Sequence, residues 1–304
     1  MDKRKAKIRV PASTSNLGAA FDAVGLALQL HLTIDVEEQG HGDPHFEFSG
    51  EGARQIPTDE SNLIWRVMAE VAALSGRSLP PFRLKADNRI PVTKGLGSSA
   101  AAIVAGAAAA DFLCRLNLSP HDLLDFAAAR EGHPDNAAPA LFGGLVSSIG
   151  GPPILCSRSE FPPDWTVVAV TPDFELETRR ARAVLPAQVS YRDAVYNVQR
   201  AAFLMAQLVR GRKEGLREAM SDALHQPYRS ELIPGLNEVL GIESSEGLLG
   251  IALSGAGSTV VAFTDSHEAE IGACIQSVFT RHGLESEVRL LKADNDGLVV
   301  ETSD

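Results

Sequence analysis

The chain has 304 residues, 44% of them apolar and 22% charged, which is the balance of a soluble globular protein too long for one typical domain. Its formal net charge of −11 excludes a basic nucleic-acid or anionic-membrane surface of the usual kind, since no compensating basic stripe is visible. Cys114, Cys156 and Cys274 are odd in number and widely spaced, so neither a disulfide framework nor a thiolate metal site is expected, and reduced, mostly buried thiols are. The basic start MDKRKAK lacks a following apolar core, and the longest apolar run is too short to span a membrane, which points to a cytoplasmic protein.

In chain order, polar Ser13, Ser15 and Asn16 precede Gly18 in PASTSNLGAAFD, and Asp22 lies within an otherwise apolar stretch. Asp22 reads either as a turn cap or as a carboxylate that holds a substrate hydroxyl. Residues 30–37 alternate like a half-buried strand, His41 and His45 belong to a solvated hairpin loop, 62–74 has helical spacing, and 81–86 alternates again.

The segment PVTKGLGSSAA, residues 91–101, reads as a phosphate cradle opening a helix. Gly95 and Gly97 permit positive backbone angles, and Ser98 and Ser99 fall at a helix N-terminus, where donors are unpaired and the dipole is positive. A Walker loop would need lysine after the last glycine, and Lys94 precedes the pair. A dinucleotide fingerprint would need an uninterrupted preceding strand, and Pro91 breaks it. A ligand-free glycine turn is the remaining alternative.

Ser119 and Pro120 start a helix to about Arg130, followed by Glu131, His133, Asp135 and Asn136 in six residues. Zinc would want more nitrogen or sulfur ligands than His133 and Asp135 supply, whereas magnesium on ATP asks only for a carboxylate such as Glu131 beside Ser98 or Ser99. The strand LVSSI and proline pairs at 152 and 162 mark a domain boundary, taken as 1–163 and 164–304. Beyond it come a strand at 165–170, a helix over 190–210, another helix to Leu224, a strand pair around Gly255 and Gly257, a helix over 266–282 and a strand at 285–291, an α+β half. Thr178 and Arg182 in TRRAR and Arg229 in HQPYR offer guanidinium forks suited to a carboxylate.

Together PASTSNLGAAFD, PVTKGLGSSAA, EGHPDNAAPA and LSGAGST, in this order over about residues 8–262, resemble the homoserine kinase family of the GHMP kinase superfamily. The resemblance implies an α+β two-domain fold: an N-terminal ATP-binding domain of ribosomal-protein-S5-domain-2 type with a left-handed βαβ crossover, and a C-terminal ferredoxin-like α/β sandwich. It implies transfer of phosphate from ATP, with Mg²⁺, to the side-chain hydroxyl of L-homoserine in threonine biosynthesis, and a homodimer. Carried onto this sequence, Asn16, Asp22, His133, Thr178, Arg182, Arg229 and Gly257 line the amino-acid site, with both arginines on the α-carboxylate side and Asp22 at the polar amino-acid end or, by preference, on the reacting hydroxyl. Asn62 lies near adenine, and Pro91, Val92, Thr93, Lys94, Gly95, Leu96, Gly97, Ser98, Ser99, Ala100 and Ala101 wrap the phosphates. Asp22, Lys94, His133 and Asn136 are the residues implied for the chemistry, and Ser98, Ser99 and Glu131 for the metal, with Asp125 as the alternative carboxylate. Sister kinases carry an aspartate base where Asn136 falls, so the hydroxyl proton is expected to leave to phosphate or solvent. The chain departs from the family at Ala19 and Ala20, where Pro-Gly is common, and at Ser258, where proline is. Another small-alcohol kinase of the superfamily, or a non-catalytic nucleotide sensor, are the competing readings.

Overall fold

The structure is a computed structural model that describes residues 4–243 and 245–303. β1 (Lys5–Ser15) begins with strict alternation: Ala6, Ile8 and Val10 are buried and Lys5 and Lys7 exposed. From Pro11 onward every residue is buried, including Ser13, Thr14 and Ser15, so this end of the strand carries polar groups into the interior. β2 (Val24–Glu38) pairs antiparallel with β1 and is longer than its 30–37 alternation predicts. β3 (His45–Gly50), α1 (Leu63–Leu74) and β4 (Phe82–Asn88) form a β-α-β unit in which β3 and β4 pair in parallel. His45 opens β3 rather than lying in a loop, and the segment with His41 is not a hairpin, because β3 pairs with β4 and not with its sequence neighbour β2.

α2 (Ser98–Cys114) follows, its residues from Ala100 to Ala110 nearly all buried. It packs on α1, β1, β2, α3 (Pro120–Glu131) and α4 (Ala137–Phe142), and a helix wrapped on every side needs small residues rather than one apolar stripe. β5 (Leu145–Ile149) pairs with β2 and with β6 (Leu155–Ser159).

The second half runs through β7 (Thr166–Pro172), α5 (Thr178–Ala183), α6 (Tyr191–Leu208), α7 (Leu216–Ala219), α8 (Gln226–Arg229) and α9 (Leu236–Leu240). β8 (Leu248–Leu253), β9 (Val260–Thr264), α10 (Glu268–Arg281) and β10 (Ser286–Leu291) follow. The helix expected to reach Leu224 is only the single turn α7, because Asp222 turns the chain there by accepting the N–H groups of Leu224, His225 and Gln226. The order β10-β7-β9-β8, with α9 and α10 packed together on one face, is the ferredoxin-like arrangement expected. The last strand, β11 (Val299–Ser303), leaves this half and pairs with β1 in the first sheet. Cys114 and Cys156 are half-buried and Cys274 is exposed, all free thiols, so the expectation of mostly buried cysteines does not hold. No helix among the described residues is long and apolar enough to cross a membrane.

Candidate active site

A cavity of about 460 Å³ opens between the two halves, with the N-terminus of α2 at one end and α5 and α8 at the other. Gly95 and Gly97 have φ of +83° and +69°, and a Cβ on Gly97 would lie 2.1 Å from Ser13 Oγ, so only glycine lets the loop sit down on β1. The carbonyls of this loop are tied backward: Lys94 O accepts from Thr259 N (3.0 Å), Gly95 O from Ser254 Oγ (2.7 Å) and Leu96 O from Ser13 N (3.1 Å). With the carbonyls held in the protein, the opposite edges of the peptides face the cavity. Among the described residues, no protein acceptor takes the N–H groups from Gly95 to Ala100, and helical bonding starts with Ala101 N on Gly97 O. That is an anion cradle made of main chain.

Val92, Thr93, Lys94, Gly95, Gly97, Ser98 and Ser99 line the cavity. Pro91, Leu96, Ala100 and Ala101 do not; their side chains are buried behind the loop and hold it to the core. Lys94 Nζ reaches Pro172 O and the Asp173 carboxylate (both 3.4 Å), so its charge lies at the seam between the halves. Ser99 Oγ donates to Glu131 Oε1 at 2.6 Å, which gathers hard oxygen donors beside the cradle and fits Mg²⁺. Asp125 accepts the Ile154 N–H (3.1 Å) and does not line the cavity. Asn62 is buried as the N-cap of α1, accepting from Ile64 N (2.8 Å) and donating to Pro57 O (2.7 Å). Around it Phe48, Ile56, Pro57, Leu63 and Val92 form an apolar wall of the kind a flat heterocycle can occupy.

At the other end Arg182 grips Asp22 with both nitrogens, 2.7 and 3.0 Å, and Asp22 has φ +56°. Asn16 Nδ2 donates to Gly255 O (3.0 Å), and its Oδ1 accepts the Asp22 N–H (2.9 Å), fixing the loop that presents the carboxylate. Arg229 is 1% exposed and reaches Gly255 O with Nη1 (2.8 Å) and Ala181 O with Nε (3.2 Å). Burial, then the neighbouring Arg182 charge, pulls the Arg229 guanidinium down to about 10, so it stays charged at neutral pH. Thr178 and Gly257 complete this wall.

Between the two ends His133 Nδ1 is hydrogen-bonded to Asp135, which is 1% exposed. Burial opposes charge on the ring, but the bond and charge of Asp135 outweigh it and hold the His133 pKa above its ordinary value. The Asp135 carboxyl is likewise opposed by burial, yet is lowered by His133. Asn136 Oδ1 accepts from Ser13 Oγ (3.0 Å), and its Nδ2 donates to Ser15 Oγ (3.0 Å) and Asp135 Oδ1 (3.3 Å). Its amide is thus part of a closed network and has no proton-accepting role. Sequence reasoning weighed Asp135 only as a metal ligand and passed over its bond to His133, and it passed over Ser254 and Thr259, which clamp the loop; a carboxylate two residues from a histidine was the available signal.

This geometry belongs to the GHMP kinases: the family described as GHMP kinases N terminal domain matches residues 62–144, and GHMP kinases C terminal matches residues 204–280. The chain is 42% identical to the homoserine kinase of Moorella thermoacetica over 294 residues, 96% of this chain and 99% of that protein. The crystal structure of homoserine kinase from Cytophaga hutchinsonii superposes with a TM-score of 0.86 at 26% identity, covering 98% of this chain and 97% of that one. The chain is a member of the homoserine kinase family. The L. major mevalonate kinase bound to R-mevalonate shares the fold, with a TM-score of 0.72 at 14% identity over 95% of this chain and 96% of that chain.

Proposed function

We propose that the protein transfers the γ-phosphoryl group of ATP to the side-chain hydroxyl of L-homoserine. The observation that carries this reading is one cavity with a main-chain anion cradle at one end and Asp22, Arg182 and Arg229 at the other. The cradle N–H groups take the polyphosphate, and Ser98, Ser99 and Glu131 would hold Mg²⁺, which supplies charge neutralisation at the phosphates when bound. The guanidinium groups of Arg182 and Arg229 take the α-carboxylate. Because Asp22 is already bidentate on Arg182, we place it on the α-ammonium rather than on the hydroxyl, so that the zwitterion inserts into an existing ion pair.

Homoserine's hydroxyl then lies toward His133, which orients it by donating a hydrogen bond from its free nitrogen. The hydroxyl oxygen bonds to the γ-phosphorus as the bond to the β–γ bridging oxygen breaks, and its proton passes to a phosphoryl oxygen or to solvent. Alignment and charge neutralisation carry the rate. In the same reading the protein is a cytoplasmic homodimer divided into units near residue 163.

Mevalonate and shikimate carry a carboxylate but no ammonium for Asp22. A panel measuring ADP release from Mg-ATP with homoserine, threonine, mevalonate and shikimate tests the proposal. Homoserine should lead in kcat/KM by at least about a hundredfold. A lead by mevalonate or shikimate overturns it, and ATP binding without turnover of any alcohol would indicate a sensor.

A further inference from the structure

A guanidinium buried as deeply as that of Arg229 has to be aimed by something, and two of its three hydrogen bonds among the described residues go to main-chain carbonyls. The third is His225 Nδ1, 3.2 Å from Arg229 Nη1. Arginine can only donate, so Nδ1 is the acceptor and the ring proton sits on Nε2, which donates to Gly18 O at 2.9 Å. His225 is 0% exposed and stacks on Phe21, with ring centroids 5.0 Å apart and planes at 21°. The same Phe21 ring lies 5.3 Å from the Arg229 guanidinium carbon and 5.6 Å from that of Arg182.

Gly18 and Phe21 belong to the loop that brings Asn16 and Asp22 into the cavity. That loop lies flush on the second half: a Cβ on Gly18 would meet Met220 O at 1.8 Å, and Asn197 Nδ2 donates to Ala19 O at 3.0 Å. One imidazole therefore joins the Asp22 loop, through Nε2–H, to Arg229, through Nδ1. Asp222 fixes the backbone beneath it by accepting the N–H groups of Leu224, His225 and Gln226.

We propose that His225, held as the Nε2–H tautomer, is the positioning residue that aims Arg229 at the carboxylate of the amino-acid substrate and sets its distance from Asp22. The inference deepens the reading above and rests on it. Arginine on a free stem samples many rotamers, and a small misplacement of a charged donor is felt strongly in binding. With Nε bound to Ala181 O and Nη1 to Gly255 O and His225, Nη2 is the nitrogen left over for a ligand.

Two variants separate aim from packing. His225→Asn keeps an oxygen acceptor near the Nδ1 position, whereas His225→Gln keeps a donor toward Gly18 O and removes the acceptor from Arg229. His225→Gln should raise the KM for homoserine about tenfold while KM for ATP and kcat stay within about twofold, and His225→Asn should remain within about threefold of wild type. Turnover of aminopropanol, which is homoserine without its carboxylate, should be the same in all three proteins. Equal effects of Asn and Gln, or a parallel rise in KM for ATP, would overturn the positioning role.

Arg229→Met, assayed alongside, tells the two layers apart. If it leaves homoserine and aminopropanol equally used, the carboxylate reading itself fails; if it penalises homoserine alone and His225→Gln does not, only the role of His225 fails. Should His225→Gln not fold, Phe21→Leu replaces it, with a rise of about threefold to fivefold in KM for homoserine expected and an unchanged value counting against the proposal.

Discussion

The end of the cavity proposed for phosphate is made from consecutive main-chain N–H groups of a single loop, whereas the end proposed for the amino acid is made from side chains that meet across the fold, Asp22 and Arg182 being 160 residues apart. The first depends on backbone conformation and on what clamps the carbonyls. The second depends on both halves being docked in register. Damage should therefore spread differently: a change in the loop should strike ATP and stability together, and a change in the cluster should strike the amino acid alone.

The largest effect is expected at Gly97. Valine there would need a left-handed φ and a Cβ 2.1 Å from Ser13 Oγ, so kcat/KM for ATP should fall about a thousandfold and stability by roughly 3 kcal/mol, read by steady-state kinetics and urea melts. Gly132 is the contrast, since its φ is +87° but nothing lies within 4 Å of an added Cβ; Gly132→Ala should cost only about 1 kcal/mol and leave ATP untouched. A comparable loss of ATP use in both would break the comparison.

Arg182→Met should come next, lowering kcat/KM for homoserine about a hundredfold with KM for ATP unchanged. A rise in KM for ATP of similar size would mean that the two ends are not separable.

Asp135→Asn is expected to lower kcat about tenfold by releasing His133 from its orientation. The pH dependence sharpens the test. His133 is raised on folding, so its contribution to stability is complete below its unfolded value of 6.5 and is lost as pH rises through the folded value. Asp135 is lowered, so its contribution is complete above 3.8 and is lost as pH falls through the folded value. The stability gap between wild type and the variant should be widest between 3.8 and 6.5 and smaller at about pH 9, as urea melts at each pH would show.

The smallest change is expected from Asn62→Ala, which removes the cap on α1 and should cost about 1 kcal/mol of stability, with KM for ATP rising no more than about threefold. A larger kinetic effect would show that the amide touches the nucleotide itself.

What the sequence disclosed follows the same division. The loop was legible because its chemistry is written in adjacent residues: two glycines, two serines and an alanine helix. α1, α3, α6 and α10 were legible through caps and periodicity; Ser119 with Asp122 forms a capping box. β1 was not recognised as a strand, because Ser13, Thr14 and Ser15 are buried polar residues that break the alternation exactly where they enter the site network. β3 was misjudged because a parallel partner lies beyond an intervening helix, which no local pattern records. At the amino-acid end only the family resemblance brought Asp22, His133, Arg182 and Arg229 together. Phe21 and His225 were missed because their importance lies in contacts between segments distant in the chain.

The pairing of β11 with β1 has a consequence for how the molecule holds together. Arg9 lies opposite Val299, so the edge of the first sheet is completed by a strand that follows the whole second half in the chain. Without β11 that edge of β1 would present an open row of amides and carbonyls, on the same strand whose Ser13 N–H braces the glycine loop through Leu96 O. The first sheet therefore closes its edge only with a strand from beyond the second half, which ties the two halves into one unit.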